Sequence, residues 1–392
     1  MIASLFSRRR ALSFLAALAG AVTLAACDVA PGQIGDAPPI EPGAPVTVAL
    51  LVPAGSGSSS DELIASHLEN AARLAVSDLD GQQINLRVYA TGGDPARAAQ
   101  VAQQAVNDGA GIILGPLYAE EANAAGVAVA SSGVSLLAFS NNPTIAGGNV
   151  FILGQTFRNT ADRLVRYGLR NGVNNYLVVH GQDLQGEIGR DSITAAVRGN
   201  GGSIAGIESY PLSQSGVLEA APRIAAAARS SGAGAVFTTA GVNADLPILA
   251  TALPEAGIDS AAVRLVGLTR WNATPQALSL PGLQHGLFAL PDQQRTALFE
   301  SRYNAAYGTP PHPLASLAYD GIAAIGALTA RGEAQALSRR ALTQPQGFQG
   351  TAGIFRLLSN GTNERGLAVA QVENGQVRIV DAAPRAFGGA GS

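Results

Sequence analysis

From Val46 onward the chain alternates short, unbroken apolar runs with longer amphipathic stretches, and few folds accept that alternation. A run such as VTVALLVP (46–53) has no polar face, as a strand needs when helices cover both sides of its sheet. The stretch after it sets Ile64, Leu68, Ala71, Ala75 and Leu79 on one helical stripe, with Ser59 and Glu62 spaced as a capping box. The same cycle predicts strands at 84–90, 111–115, 135–139 and 150–154 and helices at 61–79, 95–108 and 119–131. A second series follows, with strands at 176–180, 203–210, 235–239, 263–268 and 285–290 between helices at 159–171, 187–199, 217–231 and 244–255. Helices return at 292–307, 314–329 and 334–342, and strands near 353–358, 366–372 and 376–380 close the pattern. The expected class is α/β, with two doubly wound parallel-sheet lobes.

The N-terminal residues read differently. Arg8, Arg9 and Arg10 precede an apolar run, Ala11 to Ala26, whose 16 residues suit an export signal and fall short of the ~20 that cross a bilayer as a helix. That run ends in Leu24, Ala25, Ala26 and Cys27, which resembles the lipobox of bacterial lipoproteins and marks Cys27 for lipidation. Residues 1–26 are then the signal peptide, and 27–45 the lipidated cysteine with a flexible tether rich in Pro, Gly and Asp. Cys27 is the only cysteine, so neither a disulfide framework nor a cysteine metal site is available.

Composition excludes whole classes of chemistry. Every basic residue is Arg, and without Lys there is no Schiff base, no Walker phosphate loop and no Ser-x-x-Lys nucleophile. Loss of the signal removes three arginines and no acid, taking the formal net charge from −3 to −6; with no basic run in the body, nucleic acid is not an expected partner. His67, His180, His285 and His312 lack metal-like spacing, and neither G-x-G-x-x-G nor G-x-S-x-G occurs, so no cofactor, no metal and no enzymatic activity are expected.

The order of elements, together with VALLVP, ILGPLYAEEA, FESRYNAAYGTPPHPLASLAYDG (299–321) and GFQGTAGIFRLLSNGTNERGLAVAQVENGQVRIV (347–380), resembles the type I periplasmic binding proteins. The resemblance is to the leucine/isoleucine/valine-binding class and its penicillin-binding protein activator branch. It implies a hinged cleft between lobes formed by 46–154 plus 291–345 and by 155–290 plus 346–382, with 383–392 left as a loose tail. It also implies a small polar ligand, an amino acid or relative, and a lipid-anchored periplasmic protein that serves an ABC transporter permease. The alternative is a protein that activates a peptidoglycan synthase by contact.

Ligand groups are then expected on loops after the strands: Ser56, Leu117, Tyr118, Ala119, Ser140 and Asn141 from the first lobe, and Phe157, Asp183, Thr239 and Trp271 from the second. Amino-acid receptors of this class carry a serine three residues after the proline of the Gly-Pro pair; this chain has Ala119 there, and its Leu117-Tyr118 is closer to the activator branch. Tyr118 and Phe157 suit stacking on a ligand or packing, Ser140 and Asn141 suit donation to a carboxylate or turn capping, and Trp271 suits a cleft wall or a packed indole. Asp320 reads as scaffold, and His180 as a strand-end histidine near Asp183.

Overall fold

The structure, a computed structural model, describes residues 37–79 and 84–388. The export signal, Cys27 and the start of the tether lie outside the described residues.

Five strands, β1 (Val46–Val52), β2 (Ile84–Ala90), β3 (Ile112–Leu114), β4 (Ser135–Ala138) and β5 (Val150–Ile152), make an all-parallel sheet in the order β2-β1-β3-β4-β5. Helices α1 (Ser59–Ser77), α2 (Pro95–Asn107) and α3 (Ala119–Val129) connect them. The chain then runs α4 (Phe157–Arg170), β6 (Asn175–Gly181), α5 (Leu184–Gly199), β7 (Ser203–Tyr210), α6 (Gln214–Ser230), β8 (Ala235–Thr238), α7 (Leu246–Glu255), β9 (Arg264–Gly267) and β10 (Leu287–Leu290). Helices α8 (Gln293–Tyr307), α9 (Ala315–Thr329) and α10 (Arg339–Leu342) precede β11 (Phe348–Gly350), β12 (Gly353–Leu357), β13 (Asn363–Arg365), β14 (Ala368–Glu373) and β15 (Gln376–Asp381). The second sheet is seven-stranded, β15-β14-β10-β9-β8-β6-β7, with β14 alone running against the others, and β11-β12-β13 form a small antiparallel sheet.

Both faces of the first sheet are covered, which is why its strands lack polar alternation. Val48 and Leu50 pack with α1, α8 and α9 through Leu68, Phe299, Tyr303 and Ile322, while Ala49 and Leu51 pack on α2 and α3 through Ala98, Ala102 and Ala122. The chain therefore returns to the first sheet after β10. Phe348, Phe355 and Leu357 share that first core, so the small sheet also sits on its side, although residues 346–382 read as one block of the second lobe. Packing places the last passage between sheets after Arg365, later than the position near 345 read from the sequence.

Other departures are local. The cap of α1 is Ser58, whose Oγ accepts the Asp61 N–H at 3.4 Å, rather than Ser59; Glu62 reaches back to the Gly55 N–H at 2.6 Å. Of the helix read at 334–342 only α10 forms, begun by Ser338 as its cap. Residues 384–387, read as loose tail, fold back, with the Arg356 guanidinium 4.6 Å over the Phe387 ring. Ile40, read as tether, donates its N–H to the Ala334 carbonyl at 2.9 Å and packs on the first core.

A seam of buried polar side chains ties the crossings. Asn363 Nδ2 donates to the carbonyls of Ile152 (2.8 Å) and Gly154 (2.9 Å), Asn159 Nδ2 donates to the Asn363 carbonyl (2.9 Å), and Arg365 Nη2 donates to the Leu153 carbonyl. Replacing Asn363 by Ala strands two buried carbonyls. Asn363→Ala is expected to lower stability by about 2–4 kcal/mol in urea unfolding, and a loss below about 1 kcal/mol would show that water replaces the bonds freely.

Candidate functional site

The carboxyl ends of β3 and β4 and the first and second chain crossings border one cleft, of about 590 Å³. The loop after β3 reaches it by a tight route. Gly115 has φ 92°, its bond to Pro116 is cis, and a Cβ there would lie 2.2 Å from the Leu51 carbonyl oxygen, so only glycine fits. This turn delivers Leu117, Tyr118 and Ala119 to the wall. After β4 come Phe139, Ser140 and Asn141. Gly154, in the first crossing, lies so close that its Cβ would stand 2.5 Å from the Ser140 carbonyl oxygen. Gln155 and Pro291 line the cleft from the crossings, Leu314 and Leu317 from the start of α9, and Arg270 from the loop after β9.

Five of the residues expected at the site therefore converge: Leu117, Tyr118, Ala119, Ser140 and Asn141. Ser140 is 7% exposed, and its Oγ accepts the Asn142 N–H at 3.1 Å. The Tyr118 hydroxyl donates to Asp61 Oδ1 at 2.6 Å, and that bond, with burial adding to it, pushes the phenol up to about 12. Glu121 accepts the Tyr118 N–H at 3.4 Å, and burial raises its carboxyl above the ordinary range.

The other five lie away from this lining. Ser56 Oγ accepts the Ser58 N–H at 3.0 Å in the loop after β1. Phe157 opens α4 and packs against the core between α4, α5 and the second sheet. Asp183 caps α5 through the Gly186 N–H at 2.9 Å, and Thr239 Oγ1 accepts the Gly181 N–H at 3.3 Å. Each of these polar groups serves its own backbone. Trp271 is fully buried, its ring 5.3 Å from that of Phe288 and close against Gly267 and Gly286, where a Cβ would collide with the indole. Its surroundings are core, and the cleft position next to it belongs to Arg270.

Sequence reading missed Arg270, Gln155 and Arg365. The strand-end rule applied one residue earlier than Trp271 would have found Arg270. Arg365 carried no such signal, since NER lacks apolar alternation and the Asn360-Gly361 turn before it marks a hairpin without saying which side chain meets the cleft. Its side chain is 5% exposed, stacks 5.3 Å from the Phe355 ring centre, and has Nη1 3.8 Å from Asp320 Oδ2. Asp320 Oδ1 accepts both the N–H (2.7 Å) and the hydroxyl (2.9 Å) of Thr351, so this carboxylate is scaffold. His180 is buried, with Nδ1 2.8 Å from the Gly181 carbonyl oxygen. Among the described residues no group of His, Cys, Asp and Glu is placed to hold a metal ion.

A larger groove, about 800 Å³, runs between α4, α5 and the β12–β13 hairpin. Its charges are engaged with one another: Arg158 with Asp162 (2.7 Å), Arg166 with Glu364 (3.2 Å), and Arg356 with Glu364 (2.5 Å). The smaller cleft, at strand ends and chain crossings, is the better candidate.

A family profile described as periplasmic binding protein matches residues 45–376. The chain belongs to the periplasmic binding protein family. Its fold is that of the type I proteins of this family, and solved structures agree at 18% identity. A Rhodospirillum rubrum protein provisionally assigned to branched-chain amino acid ABC transport superposes with a TM-score of 0.71 over 86% of this chain and 100% of its own. A branched-chain amino acid ABC transporter periplasmic ligand-binding protein from Burkholderia xenovorans gives 0.65 over 88% and 97%. An ABC transporter substrate-binding protein from Desulfitobacterium hafniense, in complex with Leu, gives 0.60 over 86% and 100%. No curated protein sequence matches the chain.

Trp271 is the only tryptophan, so its emission reports one position. Buried among Phe288, Leu283 and Leu265, it is expected to emit to the blue of exposed indole and to resist iodide quenching. Solvent-like emission quenched by iodide would move Trp271 out of the core.

Proposed function

We propose that this member of the periplasmic binding protein family is the substrate-binding component of an ABC transporter, taking a small polar solute, an amino acid or relative, into the cleft between its sheets. The observation that carries the reading is the convergence of Leu117, Tyr118, Ala119, Ser140 and Asn141 beside the segments that join the sheets, Gly154, Gln155 and Pro291. A solute bound there touches the lobe and its hinge at once, so binding energy that differs between open and closed arrangements would drive closure. The relatives described as ABC transporter proteins favour a permease over a peptidoglycan synthase as partner.

Ala119 shapes the ligand. Without a hydroxyl at that position, first-lobe donation falls to Ser140, Asn141 and the backbone, while Leu117, Phe139, Leu314 and Leu317 suit an apolar ligand body. Cys27, outside the described residues, would hold the protein in the periplasm on a bacterial membrane by its acyl chains, which contribute ~0.8 kcal/mol per buried CH₂. No described helix is long and apolar enough to cross a membrane.

In a thermal-shift screen of the purified protein against amino acids, organic acids and short peptides, a solute at 100 times its Kd is expected to add ~2.7 kcal/mol, or several degrees in midpoint. A screen without any shift, alongside specific capture of a penicillin-binding protein, would reject the receptor reading. Cys27→Ser is expected to leave the midpoint unchanged and move the protein from the membrane to the soluble fraction; retention after a high-salt wash would reject the lipid anchor.

A further inference from the structure

We infer that the cleft selects a carboxylate carried on an apolar body and has no place for an ammonium group, an inference that rests on the receptor reading and names its ligand class. The cleft lining carries two cationic side chains, Arg270 and Arg365, and no Asp or Glu. Asp320, behind the lining, faces Arg365 at 3.8 Å, which leaves Arg270 as the lining charge without an acidic partner among the described residues. A zwitterionic amino acid would set its ammonium near Arg270 with no lining carboxylate to meet it, and an anion would be drawn toward Arg270.

Arg365 supplies the second observation. Its side chain is 95% buried by the 5% that remains exposed, one end donates to the Leu153 carbonyl, and its Nε–H has no partner. That Nε is enclosed and faces no open space, so what Arg365 brings to the wall is its guanidinium and not a free N–H. Asp320 balances the Arg365 charge without completing a hydrogen bond to it. Its nearest approach to the guanidinium is 3.8 Å, beyond hydrogen-bond distance, and its Oδ1 is committed to Thr351.

The remaining groups agree. Ser140 Oγ already accepts the Asn142 N–H, which leaves its own hydroxyl proton to donate. The acids that contact the wall lie outside the lining and are engaged: Asp61 and Glu121 accept from the Tyr118 hydroxyl and N–H, and Asp320 faces Arg365. Arg270 is exposed and enters from the loop after β9 of the second sheet, so a ligand held by Arg270 and Ser140 bridges the lobes.

Calorimetry on the purified protein decides the matter with matched probes: 4-methylpentanoate and phenylacetate as acids, 3-methylbutylamine and benzylamine as amines, and leucine as the zwitterion of the same skeleton. The acids are expected to bind, more weakly as salt rises; the amines are expected not to bind, and leucine to bind no more tightly than 4-methylpentanoate. Arg270→Gln, an exposed change that spares the fold, is expected to weaken the acids about tenfold, the loss of one charge-assisted contact. Leucine binding tenfold tighter than 4-methylpentanoate, binding of either amine, or unchanged acid affinity in Arg270→Gln overturns the inference. If leucine binds and the acids do not, this inference falls and the receptor reading stands; if no solute here or in the wider screen binds, both fall.

Discussion

The chain's two sheets are joined by segments whose carbonyl groups are buried, and a seam of side chains from one short strand satisfies them. Asn363 Nδ2 holds Ile152 and Gly154, Arg365 holds Leu153, and Asn159 in α4 holds Asn363 in return. Arg163, next along α4, donates Nε to the Leu367 carbonyl and pairs with Asp381 at 3.0 Å. Burial without such partners costs each carbonyl free energy, so the seam fixes where the first and last crossings pass each other. Behind it Asp320 and Arg365 face one another in the interior, where burial raises the carboxyl's pKa and the guanidinium opposes that rise. Losing either partner would leave the other charged and uncompensated, which costs more than the pair gains.

From this seam the position of the cleft follows. Parallel strands end at one edge of a sheet, and the loops of β3 and β4 meet there with the crossing that Asn363 and Arg365 hold. Gly115 and Gly154 allow those backbones to approach closely enough for Ser140 and Tyr118 to share a wall. One side chain, Arg365, thereby belongs both to the hinge and to the ligand wall. A group with both roles links the cleft wall to lobe geometry without a longer pathway, because the side chain that lines the cleft also holds the Leu153 carbonyl.

Much of the fold was legible because burial on both faces writes itself into sequence. β2 and β7 were read to the residue, and β1, β6 and β14 within two. β11 and β13 were not, since FQG and NER, unlike the apolar runs of β3 and β5, are short strands of mixed polarity with no period to detect. The cleft was half legible. The strand-end rule placed Leu117, Tyr118, Ala119, Ser140 and Asn141, yet it could not separate a polar group aimed at a ligand from one bonded to its own backbone, as Asp183 and Thr239 are. Nor could it tell Trp271, which fills the space left by Gly267 and Gly286, from its exposed neighbour Arg270. Arg365 depended on a tertiary contact 212 residues distant in sequence.

The central claim is that a small molecule enters between the sheets and draws the lobes together about this seam. Small-angle scattering of the purified protein, titrated with fractions of a low-molecular-weight extract from the producing cells, tests it directly. The account predicts that at least one fraction lowers the radius of gyration saturably, and that the effect is lost when Ser140 and Arg270 are replaced together by Ala. A scattering curve unchanged by every fraction, or a contraction that survives the double replacement, would contradict it.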